Sequence, residues 1–83
     1  MLDLNMIGWI IASKYRKLIL EALSVNSKTI TEIYDEYDVK RSSLYVCTGD
    51  LKNRGLIFKD GKKWVITAKG LETINNVHCL RKE

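Results

Sequence analysis

The chain has 83 residues, 46% apolar and 29% charged, with a net charge of +4, an ordinary globular composition for one small domain or a piece of a larger protein. Its densest apolar run, Met6 to Ala12, falls well short of the roughly 20 residues that span a bilayer and comes after Asp3 rather than a basic segment, so neither a membrane span nor a secretory leader is expected. Cys47 and Cys79 lack C-x-x-C spacing, which leaves no disulfide framework or zinc site; a cytoplasmic protein without a cofactor is the expectation.

The first segment, from about Asp3 to Val25, has a helical period: Leu4, Ile7, Ile11, Tyr15, Leu18, Ala22 and Leu23 recur at steps of three and four. Ser13 is a possible N-cap that would split it into two helices, making residues 1–12 an N-terminal helical extension. Asn26-Ser27-Lys28 reads as a turn. Thr29 and Glu32 then have the spacing of a capping box, opening a short helix with Ile30, Ile33, Tyr34 and Tyr37 inward. Asp38 is a turn former. A further helix over Arg41 to Arg54 buries Leu44, Cys47, Thr48 and Leu51 and is stopped by Gly55.

Beyond Gly55 the period changes to two. Leu56 to Lys59 and Lys62 to Ile66 flank Asp60-Gly61, a dipeptide suited to a type I′ hairpin, with Trp64 and Ile66 inward. Thr67 caps a last helix from Ala68 to about Leu80, with Leu71, Ile74 and Val77 or His78 on one side. The fold class is therefore α+β, mostly α. Residues 13–67 form the core of a single domain, and 68–83 a terminal helix.

The charge is unevenly placed. Residues 40–69 carry Lys40, Arg41, Lys52, Arg54, Lys59, Lys62, Lys63 and Lys69 against Asp50 and Asp60, a net +6; residues 1–39 are net acidic and 70–83 are neutral. A basic middle third is the footprint of a polyanion-binding surface. Two short helices and a tight turn, with a basic hairpin after them, describe a helix-turn-helix with a wing. On the second of those helices, the side opposite Leu44 carries Ser42, Val46, Gly49 and Asn53, flanked by Tyr45 and Asp50. That face is small and nearly uncharged, as a helix entering the major groove requires.

These positions imply a division of labour. Ser42, Ser43, Tyr45, Val46 and Asn53 read bases. Lys40, Arg41, Lys52 and Arg54, at the helix ends, hold phosphates, and Lys59, Lys62 and Lys63 act from the wing. Gly49 either permits close approach of a partner or marks a weak point of the helix. No Ser/His/Asp or Cys/His constellation and no phosphate-binding glycine loop is present, so no enzyme is expected.

The runs SKYRKLILEAL (13–23), TITEIYDEYDVKRSSLYVCTGDLKNRGLI (29–57) and WVITAKG (64–70) resemble the winged-helix DNA-binding domains of archaeal and bacterial ArsR- or MarR-like regulators. The most specific piece is L-x-x-x-G-L-I and then, after a short hairpin, I-T-x-K-G. The resemblance implies a three-helix core with a β-hairpin wing and a flanking terminal helix, a recognition helix over Arg41 to Asn53 and a wing over Lys59 to Lys63. Lys40 stands where Ser or Thr commonly caps that helix, Thr48 where Leu is common, and the metal-binding cysteine pair of many ArsR sensors is absent.

Such regulators pair through flanking helices, and the apolar excess here is terminal. The expected homodimer interface is Met6, Ile7, Trp9, Ile10, Leu71, Ile74 and His78, with double-stranded DNA and a second copy as partners. Two alternatives stay open. One is a winged helix serving as a protein-interaction module of a larger assembly, and the other is non-specific architectural DNA binding.

Overall fold

Ser13 does break the first helical run. In a computed structural model that describes residues 4–81, α1 (Leu4–Ile11) ends before it and α2 (Lys14–Val25) begins after it, with the Ser13 hydroxyl accepting from the Arg16 amide at 3.5 Å. The break resets the helical phase, and this corrects the expected stripe. Met6, Ile7 and Ile10 are the buried residues of α1, while Leu4 and Ile11 are 66% and 50% exposed. In α2 the buried set is Ile19, Leu20, Ala22 and Leu23.

The Thr29 capping box forms in full. The Glu32 amide donates to Thr29 Oγ1 at 3.1 Å and the Thr29 amide to Glu32 Oε1 at 2.8 Å, opening α3 (Ile30–Tyr37). The backbone hydrogen bond from Thr29 holds the Glu32 carboxyl below its ordinary pKa. Asp38 closes α3 in the left-handed region at φ 52°, and its amide donates to the Tyr34 carbonyl. Tyr37, expected inward, lies at the surface.

Next comes α4 (Arg41–Asn53), with Leu44, Cys47, Thr48 and Leu51 buried as expected. Thr48 satisfies its hydroxyl by donating to the Tyr45 carbonyl at 3.1 Å. Gly55, at φ 75°, ends the helix: its amide donates to the Lys52 carbonyl and the Leu56 amide to the Leu51 carbonyl, a paired closure that favours a residue without a Cβ.

The hairpin differs in register from the expectation. β1 (Ile57–Asp60) and β2 (Lys63–Ile66) pair antiparallel with Asp60 opposite Lys63, so the loop is Gly61-Lys62 rather than Asp60-Gly61. Only Gly61 of the two has a positive φ, at 64°; that is the type II′ pattern, in which glycine takes the first central position. Asn26-Ser27-Lys28 is also more than a turn. Lys28 exchanges two backbone hydrogen bonds with Trp64, at 3.2 and 2.7 Å, and so adds a one-residue third strand to the hairpin.

The last helix, α5 (Ala68–Arg81), is capped by Thr67, whose Oγ1 accepts from the Gly70 amide at 3.0 Å and lies 2.8 Å from the Gly55 carbonyl, to which it donates. Gly70 sits so close to the chain entering β1 that a Cβ there would collide with the Leu56 carbonyl oxygen. The core joins α1, α2, α4 and α5: Ile10, Ile19, Leu20, Leu44, Leu51, Leu56, Ile74 and Val77 are all fully buried in it. No helix among the described residues is long and apolar enough to cross a membrane.

Candidate nucleic-acid interface

On α4 the inward stripe of Leu44, Cys47, Thr48 and Leu51 turns the other residues outward. Tyr45 and Val46 are 59% and 64% exposed, a large apolar exposure for a helix that packs well on its other side. Ser42 is exposed beside them, Asn53 is exposed about two turns further along α4, and Ser43 is half-buried. Gly49 is half-buried, the helix runs through it unbroken, and no atom lies within 4 Å of where its Cβ would be. Nothing inside the chain therefore requires glycine there; what it opens is the outer face.

The first turn of α4 is bare. Its N-cap is Lys40, which makes no side-chain hydrogen bond to the helix, so the leading amides of α4 gain no side-chain acceptor from the cap. Beside it, the Arg41 guanidinium lies over the Tyr34 ring of α3, 4.8 Å from the centroid.

Lys59, Lys62 and Lys63 are all exposed on the hairpin, around the Gly61-Lys62 loop. Lys59 rides over Trp64, 5.6 Å from the ring centroid. Trp64 itself is buried core, as its alternation in β2 requires. A groove of about 260 Å³ runs between the hairpin and the helices, lined by Thr29, Ile30, Thr31, Tyr45, Lys59, Lys62 and Trp64. Thr29 and Thr31, which sequence reasoning misses as surface-forming groups, join the interface here. Their signal is hidden because the capping box accounts for Thr29 entirely, and because nothing in the sequence shows that the start of α3 faces the wing.

Several expected site residues lie elsewhere. Arg54 is drawn off to the far end of α4, its guanidinium 4.1 Å from the Trp9 ring, whose other neighbour is Arg16, also at 4.1 Å. Arg16 further donates from Nη1 to the Trp9 carbonyl at 2.9 Å. Trp9, half-buried, is thus held by two arginines of its own chain. Met6, Ile7, Ile10 and Ile74, expected at the interface, are instead buried in the chain's own core, at 7% exposure or less. His78 Nε2 pairs with Glu21 Oε2 of α2 at 2.9 Å. Of the expected set, Leu71 is exposed, at 42%. Lys52 and Asn53 are exposed near the C-terminal end of α4, away from the Arg41 end.

Cys47 lies under Ser42, Ser43 and Val46 in a shallow recess walled by Tyr15, and burial pushes its thiol pKa up, which keeps it protonated and unreactive. Among the described residues no group of three or more His, Cys, Asp and Glu side chains is placed to hold a metal ion.

A family model described as winged helix-turn-helix matches residues 13–83. The chain is also similar in structure to the transcriptional regulator BldR from Sulfolobus solfataricus. The match has a TM-score of 0.74 and 24% identity, and covers 94% of this chain and 63% of that one. This chain thus spans less than two thirds of that protein's length. No curated protein matches the sequence.

Proposed function

The chain belongs to the winged helix-turn-helix family, and on that premise we propose that it binds double-stranded DNA sequence-specifically as a homodimeric, non-enzymatic transcription regulator of the cytoplasm. The observation that carries the reading is the outer face of α4: exposed Tyr45 and Val46, with Ser42 beside them, carry no charge of their own, follow directly on Lys40 and Arg41, and share through Tyr45 a groove with Lys59 and Lys62 of the wing. Exposed apolar and hydroxyl groups suit thymine methyls and base edges, and flanking cations suit phosphates.

Pairing is supported by geometry of recognition rather than by buried residues. One recognition helix reads only a few base pairs, and a two-fold pair reaches two half-sites about 34–36 Å apart. Among the described residues, the large apolar side chains exposed on the terminal helices are Leu4, Ile11 and Leu71.

Selection of bound duplexes from a random pool tests specificity, and an imperfect palindrome is the expected product. On the selected duplex, a dimer that neutralises six to ten phosphates gives a slope of log K against log salt of about −5 to −9. Replacing Lys59, Lys62 and Lys63 together by Ala flattens that slope and weakens all sequences alike. Equal affinity for every duplex would favour an architectural role. No salt-dependent DNA affinity at all would favour a protein-interaction module. Sedimentation equilibrium at micromolar protein, with and without DNA, tests the dimer.

A further inference from the structure

The face of α4 does not explain Tyr34. It lies in the last turns of α3, half-buried and packed against the core, so its ring is fixed. Arg41, in contrast, is exposed, and it is the first residue of α4. Its guanidinium lies over the Tyr34 ring at 4.8 Å, and among the described residues none of its N–H groups has a protein acceptor. Stacking occupies one flat face of a guanidinium and leaves the N–H donors at its rim unused. A long, mobile cation is in this way held in one place with its hydrogen-bonding edge free.

The direction of the stack decides what that edge meets. In a helix-turn-helix the second helix enters the groove while the first crosses the sugar-phosphate backbone. Arg41 folds back from α4 onto α3, and therefore toward the backbone side rather than along the base-reading face of Ser42, Tyr45 and Val46. We propose that Tyr34 is a positioning residue for DNA binding, holding the Arg41 guanidinium so that its N–H edge grips a backbone phosphate beside the groove. Arg41 then supplies affinity without base choice. This rests on the DNA-binding function proposed for the chain.

The test uses the full chain, the selected duplex and an unrelated duplex of equal length, with affinity measured across a salt series. Arg41→Ala is expected to weaken both duplexes alike and to make the slope shallower by about 0.9 for each recognition helix bound. Tyr34→Phe keeps the ring and binds as the parent does. Tyr34→Leu loses about two- to fivefold for each helix, the range of an exposed cation–π contact, and has no further effect in an Arg41→Ala background.

Arg41→Lys keeps the charge but not the planar stack, folds regardless of how Tyr34 variants behave, and is expected to weaken binding with little change of slope. Any of these results would overturn the proposal: a loss on Tyr34→Leu that persists undiminished without Arg41, an equal loss on Tyr34→Phe, an Arg41→Lys protein that binds like the parent, or an Arg41→Ala defect confined to the selected duplex. If the parent binds DNA with a steep salt slope that Arg41→Ala leaves unchanged, this proposal alone fails. If the parent shows no salt-dependent DNA affinity, the DNA-binding reading fails and takes this one with it.

Discussion

The two ends of α4 carry the same arrangement, an arginine laid on an aromatic ring, and use it in opposite ways. At the start, exposed Arg41 lies over Tyr34, beside a first turn with no side-chain cap. At the end, Arg54 lies over a tryptophan ring that Arg16 also covers, and the backbone around it is engaged. Its carbonyl accepts from Lys69 Nζ at 3.3 Å, and Gly55 closes the helix behind it. A charge map counts these two arginines equally. They stand about 20 Å apart along the helix and both are exposed, but Arg54 lies on a ring that it shares with Arg16 of α2, whereas Arg41 has the Tyr34 ring alone.

The largest expected effect breaks the scaffold end. Trp9→Ala removes the ring that Arg16 and Arg54 cover and strips cover from the core it packs against, with an expected loss of about 3 kcal/mol, at the low end for a large aromatic because Trp9 is only half-buried. Urea denaturation measures the loss, while the salt slope of DNA binding by the folded protein stays as it was. A loss below about 1 kcal/mol would mean that the sandwich anchors nothing.

A smaller effect sharpens the contrast between the arginines themselves. Arg54→Ala is expected to cost about 0.5–1 kcal/mol of stability, the worth of an exposed cation–π contact, with DNA affinity and its salt dependence unchanged. Arg41→Ala should do the reverse. If Arg54→Ala instead makes the slope shallower by about 0.9 for each helix bound, the two ends share one task and the distinction drawn from their neighbours falls.

The order of elements is legible in the sequence because each boundary is local chemistry. Ser13 and Thr29 are caps, Gly55 is a left-handed stop, and Gly61 marks the hairpin; each acts within about one turn of its own position. The inward stripe of α4 is legible for the same reason, since one uninterrupted helix keeps one phase. The errors come from relations that sequence spacing does not carry. Extending one helical phase across Ser13 puts Leu4 and Ile11 inside and leaves Met6 and Ile10 looking surplus, and from that surplus grows an interface of residues that are in fact core. The partnership of Trp9 with Arg54 spans 45 positions and three intervening helix starts, so no local pattern announces it. Lys28 pairs with Trp64 through backbone groups, which every residue has, and so leaves no side-chain signature.

The smallest effect tests whether the bare start of α4 is kept open at a cost to the fold. A helix whose N-cap is Lys gains from a residue that can accept from the first-turn amides, so Lys40→Ser is expected to raise stability by about 1 kcal/mol, the usual worth of such a cap. The same substitution removes one cation from the face that Arg41 and Ser42 share. Its expected cost in binding is a slope shallower by about 0.9 for each recognition helix, seen equally on selected and unrelated duplexes. Thr29 provides the contrast within the same molecule, since α3 begins with both halves of its capping box made and Thr29→Ala should lose stability where Lys40→Ser gains it. Thermal melts and a salt titration on one preparation read both quantities. A Lys40→Ser protein that is more stable and binds as the parent does would show that the uncapped turn serves no ligand; one that is no more stable would show that the turn was never under strain for want of a cap.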